Sequence, residues 1–157
     1  MSPTTQIDNP TSAFGQLTTA PGSVGPGVQY VDVENTGASA VIPAGAWVAV
    51  DVTGSGTHIC GVILGAHGGV LHDVIGIAMD TIKVGAVGRV CTFGPIIALG
   101  STAGISAGDA VTGSTASTDD GCVMTASTPL VGQIIGIALA ASAAVVKTPV
   151  PVWVRSA

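Results

Sequence analysis

The chain has 157 residues, of which 47% are hydrophobic and only 8% charged, with four Lys/Arg against nine Asp/Glu and a formal net charge of −5. That length suits one domain, or one domain with an arm. Four scattered basic residues, Lys83, Arg89, Lys147 and Arg155, build neither a phosphate-tracking patch nor a basic amphipathic face, which argues against direct nucleic-acid binding and against a membrane partner.

Residues 1–27 hold Pro3, Pro10, Pro21 and Pro26 among Ser, Thr, Gly and Gln. They show no basic n-region and no continuous apolar stretch, so the expectation is that they are not a secretory signal. Proline removes a backbone donor and disfavours helix in the residue before it, so 1–27 reads as an extended N-terminal arm. Ordering such an arm costs on the order of 1–2 kcal/mol per residue, which a neighbouring surface has to offset.

Residues 28–157 read as one β domain. The first strand, 30–34, alternates with period two and is turned by Asn35-Thr36-Gly37. Further strands are expected at 46–52, 58–64, 74–79, 88–93, 95–99, 110–112, 122–126, 134–138 and 150–154. Two short helical turns are expected at 80–87 and 139–147. Short strands with turns every few residues predict an all-β fold, a small barrel or sandwich. The longest apolar stretch, 131–146, contains Gln133 and Gly136 and falls short of the roughly 20 residues that span a bilayer.

The chain matches itself. Ile42-Pro43-Ala44-Gly45-Ala46-Trp47-Val48 resembles Ile105-Ser106-Ala107-Gly108-Asp109-Ala110-Val111, and Val74-Ile75-Gly76-Ile77-Ala78-Met79 resembles Ile134-Ile135-Gly136-Ile137-Ala138-Leu139. Val90-Cys91-Thr92-Phe93 aligns with Val150-Pro151-Val152-Trp153. The number differences are 63, 60 and 60. Two half-barrels closing on each other into one core would account for this. The glycine of each pair is expected where φ is positive or where two backbones approach closely.

Little in the sequence carries chemistry. Cys60, Cys91 and Cys122 are an odd, widely spaced set that reads as buried thiols, with one disulfide and a leftover thiol as the alternative. His58 and Cys60 would share one face of a strand, and His67 and His72 fall in the Gly-rich loop that follows. The second pair lacks the tight spacing of a structural zinc site, so the cluster reads as a polar loop at an interface. Asp119-Asp120-Gly121 reads as a solvated hairpin tip, while Trp47 and Trp153 are expected to anchor a core or a subunit contact. No catalytic, cofactor-binding or metal-binding residue is assigned, and the expectation is a protein that is not an enzyme.

A protein with so few charges is expected to work in a permanent assembly, most simply a homo-oligomer with closed symmetry, a trimer or a dimer. The segments 42–50, Val74-Ile75-Gly76-Ile77-Ala78 and Gly85-Ala86-Val87-Gly88-Arg89-Val90, echoed by Ala107-Gly108-Asp109-Ala110-Val111 and Gly136-Ile137-Ala138, resemble the head decoration (cement) proteins of tailed bacteriophages. The resemblance covers about residues 40–155 through short motifs of common residues. It implies a small β-tulip or β-barrel domain with an extended arm, sitting as a trimer on the outer capsid surface and stapling neighbouring major capsid proteins. The family has no catalytic residues to carry over. In the second half Lys147-Thr148-Pro149 stands where a glycine is expected, a departure from strict two-copy symmetry. Other virion parts, such as a tail or fibre component, and a surface carbohydrate-binding module are the rival readings.

Overall fold

The computed structural model describes residues 20–51, 61–65, 74–114, 116, 118–127 and 134–155. Among them there is no helix, and therefore none long and apolar enough to cross a membrane. Nine strands follow one another: β1 (Gln29–Asn35), β2 (Trp47–Val50), β3 (Gly61–Leu64), β4 (Val74–Ala78), β5 (Val87–Gly100), β6 (Ala110–Gly113), β7 (Val123–Thr125), β8 (Gly136–Ala138) and β9 (Thr148–Arg155). The all-β expectation holds.

The pairing closes on itself twice. The order β1-β3-β2-β4-β5 returns to β1 through the antiparallel β1–β5 ladder, giving a closed five-stranded barrel. The order β5-β7-β6-β8-β9 likewise returns to β5 through the long β5–β9 ladder. In each ring one pairing is parallel: Asn35 opposite Val62 in the first, Gly100 opposite Val123 in the second. The halves are therefore not half-barrels sharing one core, as the sequence suggested. Each repeat forms a ring of its own, and β5 is a wall of both.

Position by position, the two barrels are lined alike. Val33, Val48, Val62, Ala78 and Val90 supply one fully buried side chain from each strand of the first barrel. Ala98, Val111, Val123, Ala138 and Val152 do the same in the second. A five-stranded ring leaves a narrow bore that small β-branched residues and alanine fill, and the same residues favour the pleated backbone.

Backbone bonds fix the repeat more finely than the letters do. The Met79 N–H donates to the Arg89 carbonyl at 2.8 Å, and the Leu139 N–H donates to Pro151 at 2.8 Å. Cys91 sits opposite Ile77, and Trp153 sits opposite Ile137. The structural counterpart of Cys91 is thus Trp153, two residues beyond the alignment read from sequence. Two extra residues in the loop before β9 absorb the difference. The helical turns expected at 80–87 and 139–147 are these loops. Each ends in a left-handed residue, Gly85 (φ 72°) and Lys147 (φ 60°), whose N–H bonds to the end of its own ring's opening strand, at Asn35 and Gly100, at 2.8 Å.

β5 is also one strand rather than the two expected. Gly94, at φ 107°, bends it without ending it, and its missing side chain leaves room for the Val28 backbone. Residues 22–25 run along the second half of β5: Gly22 donates to Ile97 at 2.7 Å, Ile97 to Ser23 at 2.8 Å and Gly25 to Pro95 at 2.9 Å. The last part of the 1–27 arm therefore lies on the chain's own β5, while residues 1–19 are outside the described residues.

Candidate interaction surfaces

The described residues contain no group of three or more His, Cys, Asp or Glu side chains arranged to hold a metal ion. His58, Cys60, His67, His72 and Asp73 lie outside the described residues. Cys91 and Cys122 are free and buried. Burial pushes the Cys91 thiol up to about 11 and raises that of Cys122, which disfavours the nucleophilic thiolate in both.

Asp119 is not at a solvated tip. It is fully buried, and its carboxylate accepts hydrogen bonds from the Thr102 N–H at 2.9 Å, the Thr102 hydroxyl at 3.0 Å and the Thr118 hydroxyl at 3.1 Å. These donors favour the charged form; led by the Thr102 backbone bond, they hold its pKa below the usual carboxylate range. The role is structural: Asp119 fastens the β6–β7 loop to the end of β5. From that loop the Gly121 carbonyl accepts from the Trp47 N–H at 2.9 Å, and the Gly121 N–H donates to Gly65 at 2.7 Å. The loop so closes over the first barrel where Trp47 is buried. Trp47 is thus a core residue, packed on Gly65, where a Cβ would overlap the indole.

Two outer faces differ in character. On the first barrel Arg89 forms a two-pronged ion pair with Asp80, at 2.9 and 2.8 Å, and its guanidinium lies 5.9 Å from the centre of the exposed Tyr30 ring. The Arg89 bonds hold the Asp80 carboxyl below its ordinary value. As an exposed pair it contributes at most about 1 kcal/mol. Its counterparts in the second barrel are Pro151 and Ala140. The donor that Asp80 satisfies in the first barrel, the Arg89 N–H at 3.1 Å, does not exist at a proline, and the carboxylate is absent with it.

On the second barrel the outer face of β8 and β9 is apolar. Phe93 and Trp153 pack edge to face with ring centres 5.7 Å apart, and Ile137 lies across from Trp153 on the neighbouring strand. Phe93, Ile137 and Leu139 are about two-fifths exposed, at 41, 38 and 40%. Trp153, expected as a core or contact anchor, is the half-buried centre of this face. Its neighbours were missed because 134–138 reads as one more apolar strand, and the letters alone do not say which of its faces is covered. The signal available was the repeat itself, the same motif standing at two places in the fold.

Such a surface binds by apolar area and shape, and the described residues around it offer no converging acid, base or nucleophile. No protein-family model matches the sequence, and no curated protein sequence matches it. Among solved structures the chain is similar to the N-terminal base of the head fibre protein gp8.5 of bacteriophage phi29. That likeness has a TM-score of 0.56 at 14% identity and covers 83% of this chain and 96% of the other. What the two share is therefore the fold: an all-β architecture recurring over nearly the whole of a phage head-fibre base.

Proposed function

We propose that this chain is a structural protein of a bacteriophage virion and, more specifically, a decoration or cement protein that binds the outer surface of a tailed-phage head and stabilises contacts between major capsid proteins. The observation that carries the proposal is the fold it shares, over most of both chains, with the base of a phage head fibre. The charge-poor composition, the uncovered apolar face around Trp153 and the proline-rich leader are in keeping with it. A protein that binds the assembled lattice and not its separated subunits stabilises the lattice by mass action, and repeated weak contacts multiply that effect. The part is mechanical, not enzymatic, and needs no cofactor.

A fibre component is the second reading, favoured by the same likeness, since the similar protein is itself a head-fibre base. Copy number separates them. Purified protein is added to heads lacking it, and bound copies are counted by quantitative mass spectrometry and cryo-electron microscopy. A decoration protein fills every equivalent lattice position and raises the temperature at which heads release DNA. A fibre component fills a small set of sites with no such rise. No binding to expanded heads overturns the decoration reading.

A further inference from the structure

The internal repeat allows each surface of the second barrel to be compared with the same surface of the first. In the first barrel Ile77 is fully buried, Cys91 is fully buried and Met79 is partly covered. What covers them is the body of the second barrel together with residues 20–28, whose Val24 and Val28 pack against the same cluster. No described residues lie over their counterparts Ile137, Trp153 and Leu139 in a comparable way, and Ile137 is 38% exposed where Ile77 is 0%.

The adjoining corner repeats the contrast. Gly45 is buried, and a Cβ on it would lie 2.6 Å from the Cβ of Pro21; its equivalent Gly108 is exposed, and a Cβ there would meet nothing within 4 Å. Both glycines hold the same left-handed turn, φ 84° and 88°, and both donate at 2.8 Å to the last residue of the Gly-centred strand of their repeat, Ala78 of β4 and Ala138 of β8. Among the described residues, the second barrel thus keeps the shape that in the first seats a leader and a further barrel, while neither stands over it.

We propose that this face is occupied by a second copy of this chain, whose first barrel lies over Ile137, Leu139 and Trp153 and whose N-terminal residues 1–19 lie in the Gly108 corner. A second copy is the partner that brings both missing pieces at once. Residues 1–19 fit the corner chemically: they contain Pro3 and Pro10, the apolar Ile7, Phe14 and Leu17, and a single charged side chain, Asp8. The contact joins two different surfaces, so repeating it gives a closed ring when the rotation closes and a filament when it does not. The inference rests on the repeat rather than on the virion reading: a chain that binds heads as a monomer would overturn the one and leave the other standing.

The test uses the full chain. Sedimentation equilibrium and native mass spectrometry are expected to give an oligomer of defined size for the wild type. Leu139→Asp and Ile137→Asn are expected to weaken association at least thirtyfold, on the order of a lost hot spot. Val145→Asp, also at an exposed residue but in the loop beside the Thr148 end of β9, is expected to leave association unchanged, and melting curves confirm that all three variants fold. With a photo-crosslinking phenylalanine at position 14, in assemblies formed from a mixture of isotope-labelled and unlabelled chains, crosslinks are expected between chains, to residues 105–109 or 137–139. A monomeric wild type, an unchanged mass for Leu139→Asp, or crosslinks confined to one chain would each overturn the proposal.

Discussion

Replacing Gly76 or Gly136 with alanine tests the architecture most directly. A Cβ at Gly76 would fall onto the Cys91 carbonyl oxygen, and one at Gly136 onto that of Trp153. Both oxygens belong to the strand that closes the ring, so neither can retreat into solvent. Relief requires β4 to part from β5, or β8 from β9, loosening Ile77–Cys91 and Ala78–Val90 in the first case. Overpacking of a tight interior costs about 1–3 kcal/mol, and each pairing bond given up adds about 1 kcal/mol. The sum is roughly 3–5 kcal/mol, a large part of the stability of a domain this size. At about 2–4 °C per kcal/mol, Tm falls by roughly 6–20 °C. Gly85→Ala is the control: its φ is 72°, and a Cβ there meets nothing within 4 Å, so only the left-handed penalty of about 1 kcal/mol applies. Differential scanning calorimetry on the three variants decides. If Gly76→Ala and Gly136→Ala melt as high as Gly85→Ala, the close approach of the strands is not what those glycines serve.

Other outcomes follow from features already described. Asp119→Asn is expected to lower stability by about 1–3 kcal/mol at neutral pH, read by urea denaturation, because buried donors lose a charged acceptor. Since the Asp119 pKa is depressed on folding, its contribution is present above the ordinary carboxylate range and lost as pH falls through and below it; wild type should lose stability there while the Asn variant changes less. Lys147→Gly should stabilise by up to about 1 kcal/mol in the same assay, the left-handed strain relieved exceeding the added chain entropy; a loss of stability would mean the Lys147 side chain contributes something essential. Cys91 and Cys122 should resist thiol reagents at pH 8 until denaturant is added, with sites assigned by peptide mass mapping; fast native labelling of Cys91 would contradict its burial.

Much of the fold was legible because a narrow barrel demands a recognisable alphabet. Strands lined by Val33, Val48, Val62 and Val90 announce themselves by β-branching and period two, and the repeated Gly76 and Gly136 mark the close approaches. What escaped was whatever depends on partners distant in sequence. Gly94-Pro95 looks like a break, yet β5 bends there and continues, since Pro95 needs only a carbonyl on the side it shares with Gly25. The segment before β9 is rich in Ala and the one before β5 carries Ile82 at the spacing of a short turn, so both look helical, but their ends are tied to Asn35 and Gly100 on other strands. Asp119 sits among Ser and Thr like a surface residue, and only the return of the chain past Thr102 buries it. The candidate face was the hardest to see, because Ile77 and Ile137 are the same residue in the same motif. Their difference lies in what the described residues of the fold place over them.

One wall common to both rings leaves no hinge. Where two domains are joined by a linker, a pull or twist on one end is dissipated by reorientation; here it passes straight along a 14-residue strand, roughly 45 Å of continuous backbone laddered on both flanks. Cleavage near Gly94 would open both rings together, so the protein should melt, resist force and succumb to protease as a single rigid strut.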